Sequence, residues 1–216
     1  EVVSLYAQKN DITSLDTVYS SLIQSYSDDI DKYVTSSAQV QYVQHVIANV
    51  FKEGGTKVTF GKFGNSDYRS REMREAFRMV EKAMLIKLIY PCTSAKMPIK
   101  QHLGRKPRLH VVDTGLINHS LKIMGELVFN EDIRETHQGI IAEHIVGQEL
   151  LATSFSISND LYFWTREKAD SSAEVDYILP YKNKLIPIEV KSGSIGKLRS
   201  LHQFMEIAPH TIAVRV

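Results

Sequence analysis

Asp176, Glu189 and Lys191 have the residue types and spacing of a metal-assisted phosphodiester chemistry. Two strand-like runs, 173–179 and 185–191, flank a turn at 180–184. With Lys182 and Asn183 as the central turn residues, opposed positions sum to 365. Asparagine suits that turn because it tolerates left-handed backbone angles. Asp176 then faces Glu189, and Glu174 faces Lys191, with Cβ atoms about 5 Å apart. Period-two alternation keeps Glu189 and Lys191 on one face and leaves Ile186, Ile188 and Val190 on the other. Two carboxylates this close repel unless a cation bridges them, and hard oxygen donors suit Mg²⁺ or Mn²⁺. A neighbouring lysine would orient or deprotonate the attacking water. The same spacing also fits the solvated face of an amphipathic hairpin.

A third acid comes from the helix expected at 139–153. Projected at 100° per residue, Glu143 falls between Leu150 and Gly147, with Val146 and Ile140 beside them. A carboxylate on so apolar a surface needs a partner or a metal. The competing account is a helix acid paired with a nearby Arg or Lys. Glu149 is a lesser candidate, and His144 reads as a satisfied histidine rather than a ligand. No Cys/His cluster suggests zinc. The stretch GTKVTFGKF at 55–63 puts five residues between its glycines and ends on Phe63 where a phosphate loop needs Ser or Thr, so it is rejected as one.

A second cluster is cationic. Residues 52–108 hold 14 Lys/Arg against 5 Asp/Glu, while the flanking segments are each acidic, so a net charge of +1 conceals a strongly basic centre. Such a centre favours a polyanion through counterion release. The helix expected at 69–83 sets Met73, Phe77, Val80 and Met84 on one stripe and Arg71, Arg74, Arg78 and Lys82 on its other faces. With Lys62 and Arg69 just before it, this helix is the expected DNA-contacting element. The plain alternative is a solvated cationic face.

The elements that must position these groups follow from periodicity. Residues 1–35 are expected to be helical, with stops at Asn10-Asp11 and Ser27-Asp28-Asp29 and with Asp11 or Thr13 capping the second helix; further helices are expected at 38–52, 69–83, 116–124, 139–153 and 196–207. A strand or extended segment is expected at 57–63, and strands at 85–90 (ended by Pro91), 109–112, 161–165, 173–179, 185–191 and 211–216. The fold class is α/β: a mainly helical, winged-helix-like domain over 1–104 and a mixed-sheet domain over 105–216. At 216 residues, 43% apolar and 24% charged, the chain reads as soluble, and no apolar run is long enough for a membrane helix. Cys92 is the sole cysteine and no secretory signal is visible, which points to a cytoplasmic protein. Starting without Met inside a helix and stopping inside a strand, the chain is expected to be a fragment of a longer one.

GIIAEHIVGQELL, LYFWTREKADSSAEVDYIL and IPIEVKSG resemble the PD-(D/E)XK nuclease-like domain. More closely, they resemble the C-terminal part of a group of predicted prokaryotic AAA+ ATPases. RLHVVDTGLINHSL is similar to that group's entry into the last module, and EVVSLYAQKND and SYSDDIDKY to the junction after its ATPase core. The resemblance implies a restriction-endonuclease-like mixed-sheet domain acting on DNA. Asp176, Glu189 and the Val190 carbonyl would hold Mg²⁺ or Mn²⁺, Lys191 would position water, and Glu143 would complete the site. Lys197 and Gln203 would make peripheral phosphate or water contacts. ATP would be used only by the absent N-terminal ATPase domain, the implied partner in the longer protein. The rival reading is a non-catalytic module that binds nucleic acid or protein and couples it to that ATPase. A component of a toxin or defence system is compatible with either.

Overall fold

The computed structural model describes residues 2–12, 14–32, 34, 36–125, 131–153, 160–167, 173–191 and 198–216. The chain folds as two units, Glu1–Lys87 with Val111–Thr136, and Leu88–His110 with His137–Val216. The boundary expected at 104–105 is a single cut. The division between the units crosses instead within β1 (Ile86–Ile89), within β3 (Arg108–Val111), which pairs with β1, and within a long helix.

The first unit is helical: α1 (Val2–Lys9), α2 (Leu15–Asp28), α3 (Ser37–Val50), α4 (Ser70–Lys82) and α5 (Thr114–Ser120). Its core lies between α3 and α4. Val43, Val46, Ile47 and Val50 are buried on one helix, and Met73, Ala76, Phe77 and Val80 on the other. Phe60 and Phe63 meet Phe77 edge-on at 5.2 and 4.7 Å. Each such side chain contributes about 1.5–3 kcal/mol by leaving water.

Two local expectations change here. Ser14 is the N-cap of α2, with no side-chain cap bond, and its hydroxyl donates to the Asp11 carbonyl. The N-cap position is thus Ser14 rather than Asp11, and Thr13 lies outside the described residues. Residues 57–63 form an extended segment and turn, not a strand. Lys62, Gly64 and Asn65 all have positive φ, which a strand ladder cannot accommodate. The Lys62 N–H closes that turn on the Tyr68 carbonyl at 3.1 Å.

The second unit is a mixed sheet between two helices. Its strands are β2 (Pro91–Cys92), β4 (Phe163–Thr165), β5 (Glu174–Val175), β6 (Tyr177–Tyr181), β7 (Lys184–Glu189) and β8 (Val214–Arg215). Within it, β2 runs parallel to β4, β4 antiparallel to β5, β6 antiparallel to β7, and β7 parallel to β8. The Ile178 N–H donates to the Tyr162 carbonyl at 2.8 Å, joining the β4 and β6 strips. The helix α6 (Glu131–Thr153) packs Ala142, Val146, Leu150 and Leu151 against Phe163, Tyr177, Ile188 and Val190. The helix α7 (Arg199–Met205) packs Leu201 and Phe204 against Trp164, Val175, Ile178 and Leu185.

The β6–β7 hairpin has the expected register. Tyr177 pairs with Ile188 and Tyr181 with Lys184, a constant sum of 365, and Lys182 and Asn183 turn at φ 44° and 61°. Both faces of β7 are covered, however, so its acid-bearing side is not the solvated face of an amphipathic hairpin. Leu185 through Val190 are all buried. Pro91 does not simply end a strand. It opens β2 at a sheet edge, where the missing N–H leaves no ladder bond unmade. The run expected at 173–179 is broken at Asp176. Val175 belongs to the α7-side core and Tyr177 to the α6-side core, so one extra residue interrupts the alternation. Among the described residues no helix is long and apolar enough to cross a membrane.

Candidate functional site

Three elements of the second unit bring acids together around one arginine. Arg108, on β3, is only 6% exposed. Its Nη1 donates to Glu143 Oε2 of α6 at 3.3 Å and to the Asp176 carbonyl at 3.3 Å. Its Nη2 donates to Glu174 Oε1 and lies 3.9 Å from Asp176 Oδ1. The guanidinium sits over the Phe163 ring, 4.9 Å from its centroid. A planar five-donor fork suits several carboxylates at once, as a lysine would not.

Local structure explains how each partner arrives. The break at Asp176 frees its carboxylate from the ladder rung, and Oδ2 accepts the Val190 N–H at 2.9 Å. Gly147 lets α6 approach the sheet closely. A Cβ there would stand 2.6 Å from the Tyr177 hydroxyl and 2.7 Å from His110 Cε1. Tyr177 in turn donates to the Glu143 carbonyl at 2.8 Å, fixing the turn that carries the acid. His110 and His144 stack with ring centres 4.8 Å apart. Burial pushes both below the usual histidine range, His110 to about 3, so this pair is neutral packing beside Arg108.

The remaining expected residues form the adjoining part of the cluster. Lys191 Nζ is 2.6 Å from Glu189 Oε1. Glu189 is 5% exposed, and its Oε2 is buried with no hydrogen-bond partner among the described residues. Alternation along β7 sets Glu189 on the side of Leu185, while Ile188 and Val190 face α6. Gln203 is half-buried on α7, and its Oε1 also lacks a partner among the described residues. Lys197 lies outside the described residues.

Burial dominates the titration of these acids. It pushes Glu143 up to about 7, against the pull of Arg108. It also raises Asp176, opposed by the Val190 N–H and Arg108, and Glu189, opposed by Lys191. Burial would lower Lys191, but the Glu189 hydrogen bond and charge, with Asp176 and Glu143, hold it above the ordinary lysine value. A lysine held protonated orients a neighbour; it does not take a proton from water.

These contacts do not suit the divalent ion that the resemblance implies. Glu143 and Glu174 both turn onto Arg108, Asp176 Oδ2 takes a backbone N–H, and Glu189 Oε1 takes Lys191. Among the described residues no three His, Cys, Asp or Glu side chains converge as metal ligands.

The basic helix is the second candidate. Arg71, Arg74 and Arg78 are exposed on α4 and, with Ser70 and Glu75, line a shallow surface groove. Arg74 also lies 5.3 Å from the Phe60 ring centre. Arg69 is the N-cap residue, and its N–H donates to Glu72 Oε2 at 2.8 Å, which fixes the helix start. Lys62 is exposed in the left-handed turn before it.

Sequence reasoning missed Arg108 as part of the acid cluster. The signal available was the apolar setting of Glu143, which called for a cationic partner without saying which. Residues 1–127 match the family model described as Domain of unknown function (DUF8612), and residues 138–215 match that described as Domain of unknown function (DUF4143). The first match covers more than half of the chain, which therefore belongs to the DUF8612 family. No curated protein and no solved structure matches the chain.

Proposed function

We propose that this member of the DUF8612 family is a non-catalytic nucleic-acid-binding module coupled to an ATPase domain elsewhere in a longer protein. The first unit plays the winged-helix-like part and grips duplex DNA with α4. The second is a restriction-endonuclease-like sheet retained for structure and binding. The observation that carries the reading is the exposed row Arg71, Arg74 and Arg78 on a helix whose opposite face is fully packed. Such a row meets phosphates without reading bases, so binding is salt-sensitive and tolerant of sequence.

The test is duplex-DNA binding by fluorescence anisotropy at several salt concentrations. Reversing Arg71, Arg74 and Arg78 to Glu should weaken binding on every sequence. It should also flatten the slope of log affinity against log salt by about 0.9 for each phosphate no longer neutralised. An unchanged affinity in the triple variant would remove α4 from the interface.

Metal-dependent phosphodiester hydrolysis is the other reading, and the state of its acids favours it. Asp176 and Glu189 are both buried, Glu189 Oε2 has no hydrogen-bond partner among the described residues, and Lys191 lies 2.6 Å from Glu189 Oε1. Cleavage by the full-length protein with ATP and Mn²⁺, absent from Asp176→Ala, would establish it over the binding reading.

A further inference from the structure

We infer that Arg108 is the resident cation of the acid cluster, its guanidinium engaging Glu143, Glu174 and Asp176 and so standing in for the divalent ion that the resemblance places on Asp176 and Glu189. The inference deepens, and rests on, the non-catalytic reading of the second unit.

The geometry is that of a built site already filled. Arg108 comes from β3, and its partners come from α6, β5 and the break before β6, so one side chain ties together segments 35 to 68 residues apart in sequence. Its flat face rests on Phe163 while its edge meets two carboxylates and a carbonyl. Burial would lower its proton affinity, yet Glu174, Glu143 and Asp176 together raise it. Arginine does not give up its proton in proteins, so this cation cannot leave by neutralisation, as a buried lysine can. A divalent ion entering beside it would meet a fixed positive charge at contact range, in surroundings that screen poorly. It would also have to draw Glu143 and the Asp176 carboxylate away from the fork, leaving a buried guanidinium short of compensating charge. Asp176, one of the two acids that the resemblance assigns to the ion, is held by the same Nη1 through its carbonyl and by the Val190 N–H through Oδ2.

Mn²⁺ titration of the whole chain, read by electron paramagnetic resonance, tests this. Wild type should show no saturable binding. Arg108→Met, similar in length but uncharged, should acquire a saturable site with at least about tenfold higher affinity. Adding Asp176→Asn to that variant should remove it. Saturable binding by wild type that Asp176→Asn abolishes would overturn the inference. So would a folded Arg108→Met as silent as wild type, because the arginine would then not be what excludes the ion. Should circular dichroism show that Arg108→Met does not fold, wild type against Asp176→Asn decides: silence in both supports the inference, and binding lost in the variant overturns it. Duplex-DNA affinity, measured in the same samples, separates this from the binding reading. Folded Arg108→Met should keep wild-type DNA affinity whatever it does with Mn²⁺, whereas failure of wild type to bind DNA sinks the binding reading and leaves the metal result standing.

Discussion

Glu143 is the residue on which the cluster's electrostatics can be measured. Four carboxylates, Glu143, Glu174, Asp176 and Glu189, share two side-chain cations, Arg108 and Lys191. The fully ionised cluster is therefore negative, and burial makes Glu143 hold its proton to about pH 7, above its unfolded value. The native state then binds more protons than the unfolded state between those two values. The group's contribution is most favourable below the unfolded pKa and is lost as pH rises through about 7. Glu143→Gln, which mimics the protonated form, should gain stability relative to wild type on moving from pH 5 to pH 8. The expected gain is on the order of 1–3 kcal/mol. Urea unfolding at both pH values reads it, and an equal difference at the two would show that Glu143 is ionised throughout. His110, lowered to about 3, adds a slope of opposite sign below the ordinary histidine range, but both variants carry it and it cancels. The need of Glu143 for a partner was legible in the sequence, because its helical neighbours are apolar. The partner was not. Arg108 falls in a basic run and one residue before the expected strand, so nothing local separates it from the surface cations. Only the pairing of β3 turns it inward.

At the scale of elements, close approach decides what fits. The hairpin was readable because a two-residue turn fixes a register for the whole strand pair, and Lys182 and Asn183 adopt the left-handed angles that such a turn requires. The break at Asp176 and the short edge strand β2 were not readable. One depends on which core each neighbour enters, and the other on a partner, β4, that lies about 70 residues away. Gly147 belongs to the same class. In sequence it is a weak helix residue, and in the fold it is where α6 meets Tyr177 and His110. Gly147→Ala would gain helix propensity in isolation, yet a Cβ at 2.6–2.7 Å from both neighbours forces α6 outward. We expect a net loss of about 1–3 kcal/mol in chemical denaturation. We also expect Tyr177→Phe in that background to recover part of it by removing the nearer clash. A neutral or stabilising Gly147→Ala would show that α6 does not approach the sheet this closely.

For the whole molecule, where the charge sits matters more than how much there is. The net charge is +1 and the isoelectric point about 8.0, so overall attraction to DNA is weak at neutral pH and reverses above it. The proposed interface does not follow that balance. It is built on guanidinium groups, a class of side chain that does not titrate in that range. The acidic flanks, residues 1–51 and 109–216, supply the compensating negative charge elsewhere in the chain. Part of it is the internally paired cluster around Arg108. Screening limits the reach of exposed charges to about 10 Å at moderate salt, so DNA on α4 responds to its immediate neighbours rather than to the sum. Duplex affinity at fixed ionic strength should therefore stay flat from about pH 7 to about pH 9, across the sign change in net charge. It should instead fall with each Arg→Glu change on α4, although the single change Arg71→Glu shifts the net charge by no more than a Lys→Glu change at the remote Lys9 does. Anisotropy titrations of wild type, Arg71→Glu and Lys9→Glu over that range distinguish the two cases. Affinity that tracks net charge, with Lys9→Glu as damaging as Arg71→Glu, would reduce the basic helix to a solvated face and take the nucleic-acid reading with it.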